Sequence, residues 1–126
     1  MDYIDIHCHL DFPDYADDAS DVIARMREYG IGAITIGTDL ESAKRAIALA
    51  DAHEHLWACI GVHPVDSEEK KRGSFDKQEF DILMKSKKVV AIGECGIDYF
   101  RDISIAEKNR QIELIKQHIV FALKYD

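Results

Sequence analysis

A chain of 126 residues with 47% apolar content and a formal net charge of −8 is long enough to bury one modest core, and it is not a disordered sequence. The acidic balance argues against attachment to nucleic acid or membrane by bulk electrostatics, although a nuclease remains open if bound metal and a local basic patch supply the positive field. Asp2, Asp5 and His7 break any leading apolar run, no stretch reaches the length of a membrane span, and the cysteine count of 3 is odd; a cytoplasmic protein with reduced thiols is expected.

The first predicted element, from Tyr3 to His7, has the alternation of a short strand. Alternation puts Asp5, His7 and His9 on one face and Ile4, Ile6 and Cys8 on the other. Two imidazoles about 7 Å apart along a strand can converge on one divalent ion. The alternative is a solvated pair of histidines. Cys8, turned away from both rings, reads as a small packing residue. Asp11 to Asp18, with Pro13, forms a loop into a helix that runs to about Tyr29, with Val22, Ile23 and Met26 as its apolar stripe and Gly30 as its stop.

The run from Ile31 to Gly37 is nearly all apolar, as a strand buried on both faces would be. Thr38 or Asp39 caps a second helix to about Ala52, with Ala43, Ala46, Ile47 and Ala50 at helical spacing. His53 and His55 follow as surface residues. A third strand, Trp57 to Gly61, leads to Val62-His63-Pro64 and a charged loop. A third helix from Asp76 to Lys85 turns Phe80, Leu83 and Met84 to one side. Lys85, Lys87 and Lys88 then precede the fourth strand, Val89 to Gly93, and read as solubilising. After Glu94-Cys95-Gly96-Ile97-Asp98, Ser104 and Glu107 stand at capping-box spacing. The final helix carries Ile112, Ile115, Ile119 and Ala122 as its expected core stripe, with His118 as a structural or exposed residue.

Strand and helix alternate four times, which means α/β architecture built of parallel (β/α) units with right-handed crossovers. Such units form either a small open sheet or half of an eightfold barrel of about 250 residues. His7 and His9, Thr38 and Asp39, His63, and Glu94 all fall at the C-terminal ends of their strands, the edge where parallel α/β folds bind ligands. His7, His9 and Glu94 are therefore a candidate metal set, two imidazoles and a carboxylate. Lys70, Lys71 and Arg72 share that edge and are candidate contacts to a phosphate backbone.

The motifs Asp5-Ile6-His7-Cys8-His9-Leu10-Asp11, Gly61-Val62-His63-Pro64 and Gly93-Glu94-Cys95-Gly96-Ile97-Asp98, in that order, resemble the TatD family of metal-dependent deoxyribonucleases, which belongs to the amidohydrolase-like TIM barrels. The resemblance covers nearly the whole chain. It implies hydrolysis of DNA phosphodiester bonds, at single strands or ends, with a pair of divalent ions (Mg, Mn or Zn); His7 and His9 would hold one ion and Glu94 would bridge both. His63 matches a family histidine near the substrate. The family's further metal ligands come after this final helix, so residues 1–126 are expected to be one partial domain, the N-terminal half of a TIM (β/α)8 barrel, with at most a partial metal site. An open half-barrel would expose sheet edges and an apolar face, which self-association with a second copy would cover. Two other functions stay open: a metal-dependent esterase or deacylase, for example on misacylated tRNA, and a non-catalytic half-barrel.

Overall fold

The computed structural model describes residues 1–65, 75–100 and 103–125. In chain order these form β1 (Tyr3–Cys8), α1 (Ala19–Glu28), β2 (Ile31–Ile36), α2 (Leu40–Ala52), β3 (Leu56–Ile60), α3 (Lys77–Leu83), β4 (Val89–Ile92) and α4 (Ile105–Ala122), with a short 3₁₀ turn at Pro13–Tyr15. The four strands make one parallel sheet in the order β1-β2-β3-β4. Sequence order and spatial order coincide, as they must when each crossover helix returns the chain to the adjacent strand.

The core lies between the middle strands and the helices. Leu56, Ala58 and Ile60 of β3 are fully buried, as are Ala43, Ala46 and Ala50 of α2, whose small side chains let the helix approach the sheet closely. Asp39 is the N-cap of α2: its carboxylate accepts from the Ser42 N–H at 2.7 Å, and the Ser42 hydroxyl accepts from the Asp39 N–H at 3.0 Å. Gly30 ends α1 at φ 67°, a left-handed value that a side chain would resist. Phe75, Phe80, Phe121 and the ring of His118 pack together between α3 and α4: Phe75 stacks on Phe80 at 4.5 Å between centroids, meets His118 tilted at 4.5 Å and Phe121 edge-on at 5.0 Å. Burial of a side chain such as Phe80 contributes about 1.5–3 kcal/mol.

Three expectations need correction. The buried stripe of α4 is Gln111, Leu114, His118 and Phe121, while Ile119 is exposed and Ile112, Ile115 and Ala122 are half-buried. Apolar periodicity misplaced the face because two of its four buried residues are polar and satisfied by backbone groups. Lys88 is structural rather than solubilising: its ammonium donates to the carbonyls of His53 (2.9 Å), Glu54 (3.1 Å) and Leu56 (3.0 Å), at the negative end of the α2 dipole, and lies 5.8 Å from the Trp57 ring centroid. His53 and His55 are half-buried rather than surface residues, with ring centroids 6.1 Å apart.

β1 and β4 are the sheet edges among the described residues. Each carries exposed apolar side chains: Ile6 is 72% accessible and Val90 50%, while Val89 and Ile92 are half-buried. No helix among the described residues is long and apolar enough to cross a membrane.

Candidate metal centre

The C-terminal ends of β2, β3 and β4 are laced together by main-chain bonds. Gly37 N–H donates to Cys59 O (2.9 Å), Gly93 N–H to Ile60 O (2.9 Å), Glu94 N–H to Gly37 O (3.0 Å) and His63 N–H to Thr38 O (2.7 Å). Gly61 permits this: a Cβ there would lie 2.5 Å from the Gly93 carbonyl carbon, so only glycine lets the two strand ends approach so closely. The backbone thereby holds Glu94 opposite the end of β1.

There the ligand atoms of His7, His9 and Glu94 come within 4.8 Å of one another. The Nε2 atoms of His7 and His9 stand 3.7 and 3.8 Å from Glu94 Oε2. Those separations are too long for hydrogen bonds. Two ligands about 2.1 Å from a shared ion sit roughly 3 to 3.5 Å apart, so a closure of a few tenths of an ångström would complete the set. The ring orientation supports the fit: His9 Nδ1 lies 2.9 Å from Ile36 O, a carbonyl that can only accept, so Nδ1 is the donor there and Nε2 is the nitrogen turned toward Glu94. The residues fit a divalent ion. Phe12 stacks on the His9 ring at 4.4 Å and limits its swing.

His63 joins from the other side. Its Nε2 is 3.6 Å from Glu94 Oε1, while Nδ1 is tied to the Val65 backbone, 2.9 Å from its oxygen and 3.1 Å from its nitrogen. The two oxygens of Glu94 thus face different imidazoles. Thr38 and Asp39, though at the same edge, are engaged in capping α2 and stand outside the cluster. Lys70, Lys71 and Arg72 lie outside the described residues.

The ligand cluster among the described residues contains no cysteine. Cys8 donates to Ile34 O at 3.4 Å, and burial pushes its thiol up to about 11; burial likewise pushes Cys59 up to about 12. Both stay protonated near neutral pH.

Sequence reasoning missed the residues that hold the site from behind. His118 Nε2 accepts from the Val62 N–H at 2.9 Å while its Nδ1 donates to Leu114 O at 2.8 Å. Arg110 donates to Pro64 O (2.5 Å), and Gln111 Oε1 accepts from the Asp98 N–H (2.9 Å). One face of α4 therefore braces both loops, the one bearing His63 and the one after Glu94. Asp11, read from the sequence only as a motif residue and the start of a loop, has a nearly inaccessible carboxylate that receives Thr35 Oγ1 and Arg45 at 3.4 Å each and whose pKa burial raises from its ordinary value. The signal for α4 was present as polar residues spaced along a helix, but only their backbone partners reveal that they face inward.

Residues 4–126 match the family described as TatD related DNase. The "Uncharacterized metal-dependent hydrolase YjjV" of Escherichia coli (strain K12) is 34% identical over 125 residues, 98% of this chain and 48% of that protein. The "3'-5' ssDNA/RNA exonuclease TatD" of Enterobacter lignolyticus (strain SCF1) is 40% identical over 101 residues, 79% of this chain and 38% of that protein. The crystal structure of YjjV, described as a TatD homolog from Escherichia coli K12, superposes with a TM-score of 0.82 and 31% identity, over 98% of this chain and 48% of that one. The chain thus spans about half the length, or less, of these relatives. Its four parallel (β/α) units correspond to half of a TIM barrel as found in that homolog. With the same fold, the same family match and motif residues gathered at one edge of the sheet, the chain belongs to the TatD-related DNase family.

Proposed function

We propose that this chain carries the first ligands of a divalent-metal hydrolase that cleaves nucleic-acid phosphodiester bonds, exonucleolytically and on single strands or ends. The observation that carries the reading is the convergence of His7 Nε2, His9 Nε2 and Glu94 Oε2, with the His9 ring oriented by Ile36 O. The substrate class is supported by the relatives named as ssDNA/RNA exonucleases. His7, His9 and Glu94 would hold the ion, which supplies polarisation of a phosphoryl oxygen and a lowered pKa for attacking water when bound. Glu94 presents Oε2 to His7 and His9 and Oε1 to His63, an arrangement suited to bridging two positions. His63 is assigned to substrate contact; in support of this, its Nδ1 is occupied by Val65 and its Nε2 faces the cluster. Lys70, Lys71 and Arg72 follow it in sequence and are assigned to phosphate contacts.

Residues 1–126 act in this reading as one partial domain. We further propose that the open edges pair with a second copy, β4 of one against β1 of the other. The exposed Tyr3, Ile4 and Ile6 on β1, and Val90 on β4, are the surface such pairing would cover. The odd cysteine count of 3 supports the cytoplasm as the compartment.

The test is cleavage of an end-labelled single-stranded DNA by the 126-residue chain, with magnesium, manganese or a chelator, beside the double variant His7→Ala/Glu94→Gln. The expected result is metal-dependent shortening from an end, reduced to background in the variant. Tight metal binding with no cleavage would overturn the nuclease reading for this chain.

A further inference from the structure

The loop that leaves Glu94 displays aromatic surface on a fixed frame. Asp98 anchors it: its N–H donates to Gln111 Oε1 on α4 at 2.9 Å, and its Oδ1 accepts from the Phe100 N–H at 2.8 Å. On this pinned backbone the Phe100 side chain is 94% accessible and Tyr99 is 43% accessible. The Lys108 ammonium stands 5.3 Å from the Tyr99 ring centroid. Their segment leaves the C-terminal end of β4 at Glu94, the edge of the sheet where His7, His9 and His63 gather.

A protein with a formal net charge of −8 repels a polyanion in bulk, so hold on a nucleic acid has to come from local contacts. Stacking of bases on aromatic side chains, with a cation nearby for the backbone, is the contact that binds unpaired strands without regard to sequence. We propose that Tyr99 and Phe100 form a stacking platform for the unpaired bases of a single-stranded nucleic acid, with Lys108 beside it for the phosphates. The platform rests on the hydrolase reading above and adds to it the way the strand is presented to the metal centre. A duplex keeps its bases paired and stacked internally, so the platform selects frayed ends and single strands.

The experiment measures binding by the 126-residue chain, with chelator present so that no cleavage intervenes. Fluorescently labelled oligothymidylate is compared with an abasic deoxyribose-phosphate oligomer of equal length. Phe100→Ala is expected to weaken oligothymidylate binding at least about fivefold, the low end for loss of one base–aromatic stack, and to leave the abasic oligomer unchanged. Phe100→Trp is expected to restore binding, with its added fluorescence quenched on stacking. Phe100 is so exposed that its replacement is not expected to unfold the chain, and circular dichroism checks this. Unchanged oligothymidylate affinity in Phe100→Ala, or an equal loss on both oligomers, overturns the platform. So does dissociation of a wild-type dimer in Phe100→Ala during sedimentation, because the ring would then be covered by a second copy. Metal-dependent cleavage is scored separately: a chain that cleaves yet is indifferent to Phe100→Ala refutes the platform alone, and one that binds bases through Phe100 without cleaving refutes only the hydrolase reading.

Discussion

Because the Ile36 carbonyl can only accept, its 2.9 Å contact with His9 Nδ1 makes that nitrogen the donor and turns Nε2 toward Glu94. The pairing of His7 with His9 was legible in the sequence, since strand alternation is a local rule, whereas the orienting carbonyl sits on the neighbouring strand. The same reasoning explains His118, whose Nε2 must stay unprotonated to accept from Val62 N–H. Burial lowers its pKa from the ordinary 6.5, so the native state binds fewer protons than the unfolded chain. Its contribution to stability is complete above about 6.5 and is lost as pH falls toward the folded-state value. Urea unfolding between pH 7 and pH 5 should therefore show a steeper loss of stability for the wild type than for His118→Gln, which keeps an acceptor but does not titrate. Identical slopes would refute the assignment. At pH 7, His118→Ala should cost about 1–3 kcal/mol from the orphaned Val62 N–H alone.

At the scale of elements, α4 and the glycine at the end of β3 decide whether the ligand-bearing ends stay in place. Gly61→Ala would put a methyl group 2.5 Å from the Gly93 carbonyl carbon, and backbone cannot yield there as a flexible side chain could. The expected cost is about 1–3 kcal/mol in stability. Displacing Glu94 should also weaken metal binding about 10-fold to 100-fold, the usual penalty when groups that orient a ligand are disturbed. Titration calorimetry with manganese measures the second effect independently of the first. Normal metal affinity in a destabilised Gly61→Ala would show that the close approach serves packing alone. Boundaries of α2 and the stop at Gly30 were readable from capping chemistry, which depends on near neighbours in sequence. The inward face of α4 was not, because Gln111 and His118 are buried through partners at Asp98 and Val62.

For the whole molecule, the unusual feature is where apolar surface has been left. Ile4, Ile6 and Tyr3 on β1 are 52%, 72% and 73% accessible, and Ile119, Val120 and Leu123 at the end of α4 are 53%, 64% and 70% accessible. Edge strands with unpaired main-chain groups invite another strand. If two copies pair β4 with β1 in both directions, sedimentation velocity should show a concentration-dependent dimer, and Ile6→Lys should return it to monomer. A wild-type chain that stays monomeric at every concentration, with a labile and rapidly exchanging β1, would rule the pairing out. Dimerisation would also bring two sets of His7, His9 and Glu94 to one mouth, which ties the cleavage test to the oligomeric state.

From the sequence alone came the alternating (β/α) order, the caps, and the grouping of His7, His9, His63 and Glu94 at one sheet edge. These follow from local periodicity, from turn chemistry and from the rule that parallel strands share a direction. Tertiary structure alone decided how the rings of His9 and His118 are oriented, which face of α4 is buried and what Lys88 binds. Those outcomes depend on hydrogen-bond partners and steric limits set by residues distant in sequence, such as Ile36 for His9, Val62 for His118 and Gly93 for Gly61, whose proximity exists only once the strands are side by side.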